Sequence, residues 1–144
     1  MNEFVYPAFF HPEPDGGYLV TFPDVPEAIT QGDDLADARA SASDALGLAL
    51  RGYLAHGRPL PKATRRAKGT VDVPVDPSNA LKLAVVEAFL QSGLSKSEFA
   101  RRLGKAENEA RRILDPDHPT KLAALEAALR LFGKQVIVSV KDAA

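Results

Sequence analysis

The sequence contains no cysteine, no tryptophan and a single methionine. Without cysteine there is no disulfide framework, no thiolate nucleophile and no thiolate metal ligand. Histidine is scarce too: His11, His56 and His118 are too scattered in sequence to suggest a zinc site. No apolar run approaches the roughly 20 residues that span a bilayer. The opening MNEFVYPAFF has neither the basic start nor the small-residue cleavage site of a secretory leader, so a cytoplasmic protein is expected. A glycine-rich phosphate loop is also missing. What is present is ordinary for a globular protein: 144 residues, 45% hydrophobic and 26% charged. That is enough for one domain or two small ones, and too apolar for wholesale disorder.

Charge is unevenly placed. Residues 1–60 hold 3 Lys+Arg against 9 Asp+Glu, a net of −6, whereas residues 77–144 hold 11 against 8, a net of +3. The net of −1 for the whole chain hides this division, which suggests two partners of opposite charge.

The front of the chain reads as strands. Residues 4–10 are aromatic and apolar, and Pro7, lacking an amide donor, favours an edge position or a bulge. Glu13 to Gly17 is turn chemistry, residues 18–22 form the returning strand of a hairpin, and residues 28–31 a third short strand. A helix follows, capped by Asp33 or Asp34, with Leu35, Ala38, Ala42, Ala45, Leu46, Ala49, Leu50 and Tyr53 on one stripe and Gly57 and Pro59 at its end. Residues 61–69 (PKATRRAKG) form a tether, and residues 70–75 a last strand. The rear reads as four helices: one from Pro77 to about Gln91 capped by Asp76, one starting at Ser95, one over residues 106–114, and one capped by Thr120 with Leu122, Leu125, Leu129 and Phe132 inward. Residues 135–140 complete it as a closing strand. The fold class is therefore α+β, divided into a unit of residues 1–69 with a possible last strand at 70–75, and a unit of residues 77–144.

The sharpest functional signal lies in residues 94–104 (LSKSEFARRLG). Ala100 and Gly104 stand four apart, the spacing of a helix-turn-helix: the alanine lets the second helix cross closely, and the glycine occupies a turn that needs positive φ. Phe99, Leu103, Ala110 and Ile113 would fill the space between the helices. The second helix would then enter the major groove with Glu107, Asn108, Arg111 and Arg112 outward, and Lys96, Ser97, Arg101 and Lys105 would meet the DNA backbone. Asn108 and Arg112 share a face, whereas Arg111 shares one with Glu107. Val136, Val138 and Val140 alternate with Ile137 and Ser139, so both faces of the last strand are largely apolar. A symmetric partner strand would pair it, making the rear unit a dimer through Val136, Ile137, Val138 and Val140.

The front unit offers little chemistry. Asp15, Asp24, Asp33, Asp34, Asp37 and Asp44 are numerous, as metal-dependent nucleases require, but turn and cap positions account for most of them. Ser41 and Ser43 lie on a helix with no histidine near in sequence. No catalysis and no cofactor or metal is expected.

These pieces resemble, in order, the HicB family of antitoxins from prokaryotic toxin–antitoxin systems. The resemblance is carried by Tyr6-Pro7-Ala8, by Gly17-Tyr18-Leu19-Val20-Thr21-Phe22-Pro23-Asp24, by Thr30-Gln31-Gly32-Asp33-Asp34, and by Gly57-Arg58-Pro59-Leu60-Pro61. In the rear it is carried by Arg112-Ile113-Leu114-Asp115, His118-Pro119-Thr120-Lys121-Leu122 and Gly133-Lys134. It implies a front unit with a partial ribonuclease-H-like fold, without catalysis, that masks a HicA-like toxin, a small basic mRNA ribonuclease. It also implies a rear unit that dimerises, with room for higher assembly, and binds the double-stranded operator DNA of its own operon. Lys105 and Ala106 depart from the usual pattern, which has an apolar residue after the turn glycine and a Ser or Thr cap. The alternative is a stand-alone transcriptional regulator whose front unit senses a ligand or another protein.

Overall fold

Alternating apolar residues and a Gly16-Gly17 turn fold the first 32 residues into a meander. Strands β1 (Val5–Pro12), β2 (Tyr18–Thr21) and β3 (Ile29–Gly32) pair antiparallel in sequence order, and β4 (Val71–Pro74) adds to the free side of β1, giving the order β3-β2-β1-β4. The computed structural model describes residues 2–64 and 67–143. Arg65 and Arg66 of the expected tether lie outside the described residues.

Pro7 lies in a strand that is central to the sheet, not in an edge strand. The register explains how: residues 9–12 of β1 pair with β2, and residues 5–8 pair with β4. Pro7 falls in the stretch bonded on one side only, where a missing amide is tolerated.

Helix α1 (Leu35–Ala55) starts at Asp34, whose carboxylate accepts the Asp37 amide at 2.8 Å. It buries Ala38, Ala42, Leu46, Leu50, Tyr53 and Leu54 against Tyr6, Ala8, Val20, Phe22 and Val73 of the sheet unit. Leu35 departs from the expected stripe: at the first position of the helix, it is 43% exposed. Gly32 is required where β3 meets α1, since a Cβ there would land on the backbone of Ala38. Residues 58–64 form a strap pinned across this unit. The Arg58 guanidinium stacks over Tyr53, the Tyr6 hydroxyl donates to the Pro61 carbonyl at 2.6 Å, and Asp24 accepts the Thr64 amide and hydroxyl.

The rear half comprises α2 (Pro77–Ser92), α3 (Lys96–Leu103), α4 (Glu107–Leu114) and α5 (Leu122–Leu131). Pro77 at the first turn and Asp76 as cap begin α2 as the sequence implies. This helix packs on both sides: Leu83 and Val86 enter the core under the sheet, and Val85 and Phe89 enter a second core with Phe99, Ala110, Ile113, Leu125 and Leu129. Phe99 is fully buried there, edge-on to Phe89 and stacked on Phe132 at 5.6 Å.

Three expectations for the rear half need correction. Thr120 does not cap α5; the cap position is Lys121, which makes no side-chain bond, and the Thr120 hydroxyl is engaged by Lys82 instead. Leu122 is 57% exposed, because it begins the helix ahead of the buried Leu125. Residues 134–140 form no ladder with the described residues, and Ile137, Val138 and Val140 are 70–91% exposed. The helices of the rear half offer no strand for them to pair with.

Candidate functional site

The site is built from two short helices. Ser95 caps α3 by accepting the Glu98 amide at 3.1 Å. The helix ends at Gly104, φ +71°, a left-handed conformation that a glycine adopts without strain and that turns the chain into α4 within three residues. The Lys105 amide closes this turn on the Ala100 carbonyl at 3.1 Å. Phe99, Ala100, Ala110 and Ile113 are buried between the helices, with Leu103 packed beside them, as the sequence spacing predicts. The start of α4 carries no side-chain cap, since Ala106 has no acceptor to offer.

With one face of α4 fixed by Ala110, Ile113 and Leu114, the rotation of about 100° per residue sets the others. Asn108 and Arg112 lie opposite that buried face and are exposed. Neither side chain bonds to another group among the described residues. Arg111 lies on the flank, where its guanidinium bonds Glu107 at 2.9 Å, and Ser97 donates to the same carboxylate at 3.3 Å. These two donors, Arg111 foremost, lower the pKa of Glu107 below the usual carboxylate value. Arg111 and Lys96 also border a shallow groove of about 250 Å³ with Leu54, Val86 and Phe89. Lys105 bonds Glu109 at 3.2 Å.

On α3, Glu98 collects two arginines. Arg101 reaches it through Nε at 2.9 Å and Nη2 at 2.5 Å, and Arg102 through Nε at 2.9 Å. Hydrogen bonds from Arg101 and then Arg102 bring the Glu98 carboxyl down to about 2. The structure therefore separates the expected contact residues. Asn108, Arg112 and Lys96 are unpaired among the described residues, while Ser97, Arg101, Lys105, Glu107 and Arg111 are engaged with neighbours.

Lys82 is the residue that reading the sequence misses. It is 4% exposed on α2, and its ammonium donates to the carbonyls of Arg112 (3.1 Å) and Ile113 (2.9 Å) and to the Thr120 hydroxyl (2.5 Å). It holds the C-terminal end of α4 from below, where the helix dipole favours a cation. Burial brings its pKa down from 10.5 to about 8, against the pull of Asp115. The signal was present in the sequence: Lys82 stands at i−3, i−4 and i−7 from Val85, Val86 and Phe89, so it is a lysine on an apolar stripe. Alongside it, Arg51 of α1 approaches Asp117 of the α4–α5 loop at 3.8 Å.

Several of the front unit's carboxylates hold backbone, whereas Glu27 accepts the Tyr53 hydroxyl at 2.7 Å. Asp34 caps α1, Asp37 accepts the Asp33 amide, and Asp24 holds the strap, while Asp76, just past the front unit, caps α2. Among the described residues no three His, Asp or Glu side chains gather in a metal-holding arrangement. His11 stacks on Phe9 and lies 3.1 Å from the Thr21 hydroxyl, a pairing that strand register creates and sequence distance conceals. No helix among the described residues is long and apolar enough to cross a membrane.

Comparison with known proteins places the chain in a family. Residues 5–84 match the family described as the HicB-like antitoxin of bacterial toxin–antitoxin systems. The chain is 39% identical over 133 residues to Antitoxin HicB of Escherichia coli K12, covering 91% of this chain and 95% of that protein. It is 38% identical over 136 residues to Antitoxin HicB 1 of Photorhabdus laumondii, covering 94% and 86%. It is 33% identical over 141 residues to Antitoxin HicB of Pseudomonas fluorescens Pf0-1, covering 97% and 96%. The match runs through the strap, through α2 and on into the helical half, so the chain belongs to the HicB-like family of antitoxins.

Proposed function

We propose that this antitoxin binds and masks a HicA-like mRNA ribonuclease with its sheet unit and represses its own operon by binding operator DNA with its helical unit. In this reading residues 1–69 with β4 form a partial ribonuclease-H-like unit without catalysis. Residues 77–144 form a helix-turn-helix unit that acts as a homodimer in the cytoplasm. The observation that carries the operator half is the placement of Asn108 and Arg112, unpaired and opposite the buried face of α4. Asparagine can read adenine with two hydrogen bonds, and arginine can read guanine or hold phosphate. Lys96 stands free for a backbone contact, while Arg101 and Arg111 would first have to leave Glu98 and Glu107. The exposed Val136, Ile137, Val138 and Val140 support dimerisation, because an apolar extended segment in water gains most from a symmetric strand partner.

The testing experiment co-expresses the chain with the short basic protein encoded beside its gene. Growth arrest by that protein alone, rescue by this chain, co-purification of the two, and retardation of the operon's upstream DNA are the expected results. Rescue without co-purification overturns masking. A chain that retards no upstream DNA overturns repression by binding.

A further inference from the structure

We propose that the basic ribonuclease toxin docks on the outer face of the sheet, the face turned away from α1. This rests on the masking role above and says where on the front unit the partner sits. Side chains alternate along a strand. Tyr6 and Ala8 of β1 point into the core with Val20 and Val73, so Pro7, Phe9 and His11 point the other way. The register then sets two rows across three strands: Phe9, Thr21 and Ile29 in one, His11, Leu19 and Gln31 in the other. α1 packs on the opposite side. Ile29 is 61% exposed, His11 and Gln31 are exposed, and Phe9, Leu19 and Thr21 are half-buried.

This face is already ordered. His11 is stacked on Phe9 and tied to Thr21, so little side-chain freedom is left to lose on binding. It also runs to β3, one of the two edge strands, whose outward backbone groups have no ladder partner among the described residues.

Charge selects the occupant. Asp72 shares the face opposite Pro7, Glu13 and Asp15 stand at the turn after β1, and Asp33, Asp34 and Asp37 follow β3. Residues 1–60 carry a net of −6. Nucleic acid is repelled by such a rim, and a second copy would bring the same sign against it. A basic protein is the complement, and an apolar centre inside a polar rim is the anatomy of a protein–protein contact.

The test uses the full chain and the purified basic ribonuclease encoded beside it, with affinity measured by titration calorimetry. Thermal melts and sedimentation are run on the same samples. The double variant Ile29→Arg/Gln31→Arg places two cations on exposed positions and is expected to weaken toxin binding by about 30-fold or more. Its melting temperature and operator retardation should stay unchanged. Gln31→Arg alone is expected to lose on the order of 5-fold, and serves if the double variant melts early. Leu48→Arg, equally exposed on α1, is expected to stay within about 2-fold. Unchanged toxin affinity in the folded variants overturns the proposal, as does a loss confined to Leu48→Arg. Altered sedimentation of the free chain with unchanged toxin affinity makes the face a contact between copies and overturns it too. An unsubstituted chain that binds no toxin is a different failure, that of the masking role itself.

Discussion

The two halves of the molecule handle charge differently. In the sheet half, carboxylates are tied mainly to backbone amides: Asp34 at the start of α1, Asp37 on the Asp33 amide and Asp24 in the strap. In the helical half, carboxylates are tied to cations: Glu98 to Arg101 and Arg102, Glu107 to Arg111, and Glu109 to Lys105. The first arrangement fixes local geometry and leaves the acidic field in place, because an amide neutralises nothing. The second cancels charge pair by pair, so that a small excess of cations remains at chosen points. If the helical half binds DNA as proposed, a formal count of its Lys and Arg overstates its reach, and the unpaired Asn108, Arg112 and Lys96 matter more than the total.

The contrast can be broken at its strongest point by deleting residues 135–144. If the apolar tail makes the dimer, sedimentation should give monomers, and affinity for an inverted-repeat operator should fall by about 100-fold or more as two linked contacts become one. Toxin binding by the sheet half should persist. Next in size are Asn108→Ala and Arg112→Ala, each expected to cost about 1–3 kcal/mol in operator affinity. The Asn108 loss should be confined to one base position. The Arg112 loss should extend to all sequences and lower the salt slope by about one unit, as read by retardation across a salt series. Rescue of growth should survive both.

Lys82→Met tests whether the buried amine supports α4. It leaves two carbonyls and the Thr120 hydroxyl without their donor, and a loss of about 1–3 kcal/mol in urea unfolding is expected. The pH dependence gives a second signature. Burial favours the neutral amine, so between about pH 8 and the ordinary 10.5 the folded chain binds fewer protons than the unfolded one. Stability rises with pH through that window, and the variant should lack this increment. The smallest effect runs the other way. Ala106→Ser supplies the cap that α4 lacks and should stabilise the chain by about 1 kcal/mol in the same unfolding experiment.

Sheet, helices and the α3–α4 pair were legible because each rests on local rules: alternation in residues 18–22, the Asp76-Pro77 start, and the Ala100 to Gly104 spacing. The face shared by Asn108 and Arg112 followed from helical rotation alone. Contacts that depend on register or on a distant element were not legible. His11 with Phe9 and Thr21 needs the pairing of β1 with β2. Lys82 on the end of α4 needs a packing of α2 that no local window reports, and the same packing takes Thr120 away from its expected cap. The tail from 135 to 140 was expected to pair as a strand with a second copy, and within one chain it finds no ladder among the described residues.

The double duty of α2 has a consequence for anyone dividing this chain. A cut at residue 76, where charge and the Asp76-Pro77 start invite it, would strip Leu83 and Val86 from beneath the sheet. A cut after residue 92 would instead carry Val85 and Phe89 away from their helical neighbours and leave them in water. Neither fragment keeps a whole interior. Heat or denaturant should accordingly melt both halves in one cooperative step. A protease should find its first site in the exposed tail, and not between the two halves.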